Sequence, residues 1–413
     1  MHLTPEERAM LSGMEGPAVQ KAMQIVVALG EIYDAKNLLS VSSAQVAGVS
    51  YKNLGDAGLE FLEEWAAQGA RVRVPAFMNP AGMDLQRWQE MGIPSEFARK
   101  QQRVVAALQA MGVTPTCTCT PYLVGYVPRL GEHLAWSESS AVSFANSVLG
   151  ACSNREGGPS ALAAAIAGRT AAYGLHLSEN RRATHVIEVR CPLHNEADYG
   201  ALGYMVGRQV GDGVPYFRLC HRLSSLCLPH TEHLMALGAA MAASGAVALY
   251  HIEGVTPEAA DEATFRYALD AALPTITIET LDEAYAALNS PLDEIDLVSL
   301  GCPHATLAEV ERVAALLEGK RVQTALWVTT SRGVRVQAEQ RGWVASIEAA
   351  GGRVFADTCL VVAPVEEMGF RAMATNSAKA AFYAPAYAGL QRRFGALEQC
   401  IAAALSGRWE ASV

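Results

Sequence analysis

Residues 295–309 read Ile295-Asp296-Leu297-Val298-Ser299-Leu300-Gly301-Cys302-Pro303-His304-Ala305-Thr306-Leu307-Ala308-Glu309. The apolar run Ile295–Leu300 predicts a strand that runs out in Gly-Cys-Pro-His, and the chain restarts as a helix at Thr306. Thr306 and Glu309 stand three apart, the spacing of a capping box in which each side chain meets the other's backbone N–H. Cys302 is thereby expected in a loop just before a helix N-terminus, a position that lowers a thiol pKa and favours the thiolate.

The same grammar recurs on both sides of this stretch. Downstream, a strand Thr324–Thr329 precedes Ser331 and Arg332, and a helical stretch from Val334 to Gly351 leads into a strand Val354–Cys359. Upstream, Phe61 to Gly69 leads into Val72–Phe77, and Arg103 to Gly112 leads into Cys117–Tyr122. Each helix stops at a glycine, which takes the left-handed C-terminal position at little cost. Alternation of this kind predicts an α/β protein built from repeated units with mostly parallel sheets. No Pro/Gly/Ser-rich linker divides the chain. A soft boundary near 285–295 separates a body over 1–290 from a second α/β part over 291–413.

The chain has 413 residues, of which 51% are hydrophobic, enough for a sizeable core. Its formal net charge of −10 is spread along the sequence with no basic stripe, so a phosphate backbone has nothing to hold and nucleic acid is not expected as a partner. The first residues show no basic stretch followed by an apolar one. The uncharged run Leu234–Ile252 is rich in Ala, Gly and Ser, and reads as a buried helix followed by a strand Ala246–Ile252, not as a membrane span. A cytoplasmic protein is expected. Nine scattered cysteines do not resemble a disulfide framework, and a reducing compartment would leave them available for metal or catalysis.

Polar loops follow several predicted strands. Ser42–Lys52 and Met78–Asp84 are loop-like by composition, and two such loops after strands point to a ligand site. Trp136–Ser140 and Asn154–Ser160 flank an Ala- and Ser-rich helix. The second carries Arg155, whose guanidinium suits a carboxylate unless it merely pairs with Glu156 or Glu138. Thr375-Asn376-Ser377-Ala378-Lys379 places a lysine among small and aromatic residues, the setting of a sheltered ammonium. Cys152, Cys191, Cys220, Cys227 and Cys400 read as small buried hydrophobes. Two of the cysteines Cys119, Cys302 and Cys359 sit where a strand is expected to run out, and Cys117 competes with Cys119 because Cys-Thr-Cys puts both thiols on one face of an extended segment. Without Cys-x-x-Cys or His-x-x-His spacing zinc is disfavoured, whereas single distant cysteines are compatible with an iron–sulfur cluster that leaves one iron open.

Taken together, Ser43–Lys52 with Gly55-Asp56-Ala57-Gly58, Asn79-Pro80-Ala81-Gly82-Met83, Cys119-Thr120-Pro121-Tyr122, Asn154–Ser160, Gly301-Cys302-Pro303-His304, Asp357-Thr358-Cys359 and Thr375-Asn376-Ser377 resemble the large-subunit part of aconitase X over nearly the whole chain. The resemblance implies an aconitase-like architecture without the swivelling domain, and a hydro-lyase that dehydrates a small hydroxy acid. It implies an iron–sulfur cluster, two-iron or four-iron, on Cys119, Cys302 and Cys359. A separate small swivelling subunit would complete the site and supply the base. The chain departs from the aconitase pattern of a Cys-x-x-Cys pair plus one distant cysteine. We assign Lys52, Asn79, Ser140 and Lys379 to catalysis and orientation, and Ser43, Asn154, Arg155 and Asn376 to substrate binding. The absence of an evident Lys/Arg cluster for phosphate and the Ala-rich composition favour cis-3-hydroxy-L-proline, giving 1-pyrroline-2-carboxylate, over mevalonate 5-phosphate. A non-catalytic binding protein, or a thiol redox protein using Cys117 and Cys119, is the reading from another class.

Overall fold

A computed structural model describes residues 1–219, 229–261 and 273–410. Cys220 and Cys227 lie outside the described residues. Among them the strands are β1 (Leu38–Ser40), β2 (Ala44–Val46), β3 (Ala76–Met78), β4 (Ala135–Trp136), β5 (Arg169–Ala171), β6 (His185–Val189) and β7 (Pro215–Leu219). The chain continues through β8 (His251–Ile252), β9 (Thr275–Ile278), β10 (Leu297–Ala305), β11 (Ala325–Thr330), β12 (Arg353–Ala356), β13 (Ala372–Thr375) and β14 (Gln391–Phe394). They form sheets ordered β3-β2-β4, β8-β7-β6-β9 and β12-β11-β10-β13-β14, plus the antiparallel pair β1-β5.

Every pairing inside the three larger sheets is parallel. Parallel strands need crossover connections, here mostly helices, and these bury both faces of the strands β10, β11 and β12, which is why those strands read as apolar runs. The expected α/β class with mostly parallel sheets is what the chain adopts. In each large sheet the first strand in sequence lies inside, so the order reverses beside it. Such a switch point opens a crevice at the carboxyl ends of the strands, where ligands bind in open α/β sheets.

The decisive stretch departs from its reading in one respect. β10 does not stop at Leu300; it continues to Ala305 through a bulge. Leu300 pairs with Val328 and Ala305 with Thr330, so five steps along β10 match two along β11. The freed carbonyls find hydroxyls: Thr329 Oγ1 donates to Leu300 O at 3.2 Å and Gly301 O at 2.8 Å, and Thr330 Oγ1 donates to Ala305 O at 2.7 Å. Gly301 sits at φ 90°, where a Cβ would lie 2.0 Å from Thr329 O. Thr306 and Glu309 form the capping box of the helix Leu307–Leu317.

Other local expectations need correction. Cys117 adopts φ 43°, which turns the chain, so Cys-Thr-Cys is not an extended segment with both thiols on one face. The stretch after Val334 is two helices, Arg332–Gln340 and Trp343–Ala349, broken at Gly342 in the left-handed region. The helix Thr231–Gly245 ends at a left-handed Ala246, and the strand behind it spans only His251–Ile252. Gly389 ends the helix Ala378–Ala388, and the terminal helix Leu397–Ser406 follows β14. Among the described residues no helix is long and apolar enough to cross a membrane.

Candidate active site

Two crevices face one another and enclose a cavity of about 200 Å³. Much of its wall comes from residues beyond the carboxyl ends of strands. Ala47 follows β2, Asn79 and Pro80 follow β3, and Ser137, Glu138 and Ser139 follow β4. From the other sheet come Cys302 in the β10 bulge, Cys359, Val361 and Val362 after β12, and Lys379, Tyr383 and Tyr387 after β13. Cys119, Asn53 and Arg155 complete it.

Cys119, Cys302 and Cys359 therefore share one cavity, although they come from three separate segments of the chain. Cys117 does not; its thiol packs in the apolar core beside Val46 and Met78. Burial pushes all three cavity thiols up, Cys359 to about 12. This overturns the expectation that a helix N-terminus would lower Cys302, because Cys302 sits in a strand bulge, ahead of the helix cap. The His304 N–H donates to Cys119 Sγ at 3.2 Å, and the Ser377 hydroxyl bonds the Cys302 thiol.

A buried ion pair stands beside the thiols. Glu138 caps the helix Ser139–Ser147, its carboxylate accepting from Ala141 N at 2.7 Å and Ser140 Oγ at 2.5 Å. Lys379, in the first turn of the helix Ala378–Ala388, donates to Glu138 Oε1 at 2.5 Å and to Ser140 Oγ at 3.2 Å. Burial opposes both charges, yet each partner outweighs it: Glu138 is held below the usual carboxylate range and Lys379 above its ordinary value. Both shifts favour the ionised pair. Gln45 fixes it from behind, accepting from Glu138 N at 3.2 Å and donating to Thr118 O at 3.1 Å.

The remaining assigned residues divide. Asn79 faces the cavity with its Oδ1 buried and without a partner among the described residues. Arg155 is exposed at the cavity with no ion pair among the described residues. Glu138 is taken by Lys379, and Glu156 accepts from Ser160 and Thr170, so the bland pairing of Arg155 does not form. Lys52 points away, its ammonium donating to Ala363 O at 3.1 Å, Tyr387 O at 2.9 Å and Glu366 at 2.6 Å. Ser43 accepts from Trp136 Nε1 at 3.0 Å. Asn154 bonds Tyr173 O and Leu175 N. Asn376 lines a separate small cleft behind Cys302, with Glu232 and Glu309. Thus Ser43, Lys52, Asn154 and Asn376 lie outside the cavity, Asn79, Arg155 and Lys379 line it, and Ser140 stands behind it, bonded to Glu138 and Lys379. Glu138 is the residue that sequence reasoning missed; its one signal was an acid between serines at a helix start.

The thiols can be tested for fit to the cluster that the resemblance implies. Among the described residues no three His, Cys, Asp or Glu side chains converge on the position of a single metal ion. Three thiols spread around one cavity suit a polynuclear cluster, whose irons each take a separate thiolate. An N–H aimed at one sulfur, a hydroxyl at another and a nearby ammonium are the surroundings that such thiolates need.

Comparison with known proteins agrees with this geometry. Models of the aconitase X first, second and third domains match residues 1–179, 183–286 and 295–406. The phosphomevalonate dehydratase large subunit of Methanothermobacter thermautotrophicus is 53% identical, the match covering 94% of this chain and 95% of that one. A cis-3-hydroxy-L-proline dehydratase of Pseudomonas aeruginosa is 38% identical, over 97% of this chain and 70% of the relative. The crystal structure of Thermococcus kodakaraensis aconitase X in its holo-form superposes with a TM-score of 0.89 at 46% identity, covering 98% of this chain and all of that one. With sheet order, cavity and near full-length similarity in accord, this chain belongs to the aconitase X family and is a hydro-lyase.

Proposed function

We propose that the chain is the large subunit of a phosphomevalonate dehydratase, removing water from mevalonate 5-phosphate. The observation that carries this reading is the ranking of relatives: 53% identity to a phosphomevalonate dehydratase large subunit against 38% to a cis-3-hydroxy-L-proline dehydratase. It reverses the preference drawn from composition. A missing Lys/Arg cluster in sequence was weak ground, because one exposed guanidinium, Arg155, at the cavity serves an anionic substrate without any cluster.

Cys119, Cys302 and Cys359 would hold an iron–sulfur cluster at one wall. When bound, the cluster supplies Lewis acidity that makes hydroxide a tolerable leaving group. Arg155 takes an anionic end of the substrate through its planar fork. The unpartnered Asn79 Oδ1 accepts a hydrogen bond from a substrate hydroxyl, which fixes the face presented to the thiols. Lys379 keeps positive charge beside Cys119 and Cys302, and Glu138 holds it protonated. The proton next to the carboxylate needs a base, and the one carboxylate among the described lining residues is occupied: Glu138 accepts from Lys379, Ser140 and Ala141 N. We therefore assign the base to a partner subunit, which also excludes water from the cavity. The designation of relatives as large subunits supports this assignment.

The test is an anaerobic assay of the chain co-produced with its small subunit, comparing mevalonate 5-phosphate with cis-3-hydroxy-L-proline. A higher kcat/KM for the first is expected. Arg155→Ala should raise KM about 10- to 100-fold with a smaller change in kcat, the loss of roughly 1.5–3 kcal/mol of charged hydrogen bonding. Turnover of the second substrate alone would overturn the assignment.

A further inference from the structure

We propose that His304 is a positioning residue that locks the three cysteine loops into one spacing. This inference rests on the cluster reading above. His304 is fully buried, and it lies two residues beyond Cys302 in the β10 bulge. Its ring spans the other two loops. Nε2 lies 2.8 Å from Thr358 O, the carbonyl just before Cys359, and Nδ1 lies 3.0 Å from Thr118 Oγ1, just before Cys119. Its backbone N–H meets Cys119 Sγ itself. One residue of the Cys302 segment therefore bonds to both of the other segments that carry the thiols.

The tautomer follows from the partners. A carbonyl oxygen only accepts, so Nε2 carries the proton, and in the neutral ring Nδ1 accepts from the Thr118 hydroxyl. That hydroxyl also accepts from Thr120 N at 3.1 Å, so the Cys119 turn is tied at both ends. The ring thus stands behind the thiols as an outer support, and such supports set ligand orientation and metal retention. The N–H on Cys119 adds a second effect, because hydrogen bonds to cluster sulfurs help set the reduction potential.

The test uses the full chain with its small subunit, reconstituted anaerobically with iron and sulfide. His304→Gln keeps a donor near Nε2 but loses the Thr118 link, His304→Leu loses both ring bonds, and Thr118→Val removes only the hydroxyl. Iron and sulfide per chain, the rate of iron loss to a chelator and the electron paramagnetic resonance spectrum are read for each. His304→Leu should release iron about 10- to 100-fold faster than wild type, with the other two variants between. If His304→Leu fails to fold, the faster loss must still appear in Thr118→Val and His304→Gln. Wild-type release rates and spectra in all folded variants would overturn the role of His304 alone. Wild type that takes up no iron, or Cys119→Ser that retains it fully, would overturn the cluster reading and this inference with it.

Discussion

Glu138 and Lys379 stand 241 residues apart in sequence and meet inside the protein, both almost wholly out of water. Removing one partner leaves the other charge buried and unpaired, so Lys379→Met should destabilise the chain by about 3–5 kcal/mol in chemical denaturation. Adding Glu138→Gln should restore part of that loss, because the coupling is then absent from both sides. The pair also predicts a pH dependence. Glu138 is depressed in the folded state, so unfolded chains take up its proton first as pH falls. Its contribution is complete above the ordinary carboxylate range and is lost as pH falls through the folded value, narrowing the gap between wild type and Glu138→Gln. Polar residues placed near expected strand ends drew attention to the cysteines and Asn79, and small and aromatic neighbours drew it to Lys379. Glu138 was not, because a pairing across such a separation leaves no local pattern. Lys52 misled for the converse reason: a lysine in a polar loop looks catalytic until its three acceptors are seen.

At the scale of elements, the bulge in β10 decides where Cys302 goes. Gly301 is held in the left-handed region with the Thr329 carbonyl where a Cβ would be. Gly301→Ala should therefore cost more than the usual 1–3 kcal/mol of backbone strain, roughly 3 kcal/mol or above, read as a lower denaturation midpoint. A wild-type midpoint would mean that the bulge relaxes freely. Strand and helix periodicity predicted β10, β11, β12 and the capping box at Thr306 to within a few residues. Periodicity could not reveal the bulge, the turn at Cys117 or the break at Gly342. Each is set by one backbone angle, and that angle answers to packing against another strand or loop. The thiol shift at Cys302 went wrong for the same reason, since three extra residues in the strand keep it away from the helix dipole.

Across the whole molecule, a salt-bridge network joins the first family segment to the third. Asp84, in the loop after β3, is fully buried and accepts from Ala356 N at 2.8 Å and Arg332 at 2.7 Å, and Arg332 also binds Asp357. Burial pushes both acids up; Ala356 and Arg332 outweigh it at Asp84, which is held low, but not at Asp357. Arg332→Leu should cost roughly 2–4 kcal/mol, less than a fully buried pair because Arg332 is about a quarter exposed. Limited proteolysis should then cut first in the loops around Asp84 and Asp357. Cleavage unchanged from wild type would show that apolar packing alone joins the two segments. The cavity between them carries one further consequence. The groups that face it belong to loops, helix starts and one strand bulge, while the sheets behind hold those segments in place. A division of labour results in which the scaffold can stay fixed through evolution or redesign while a few loop side chains are exchanged to admit a different acid.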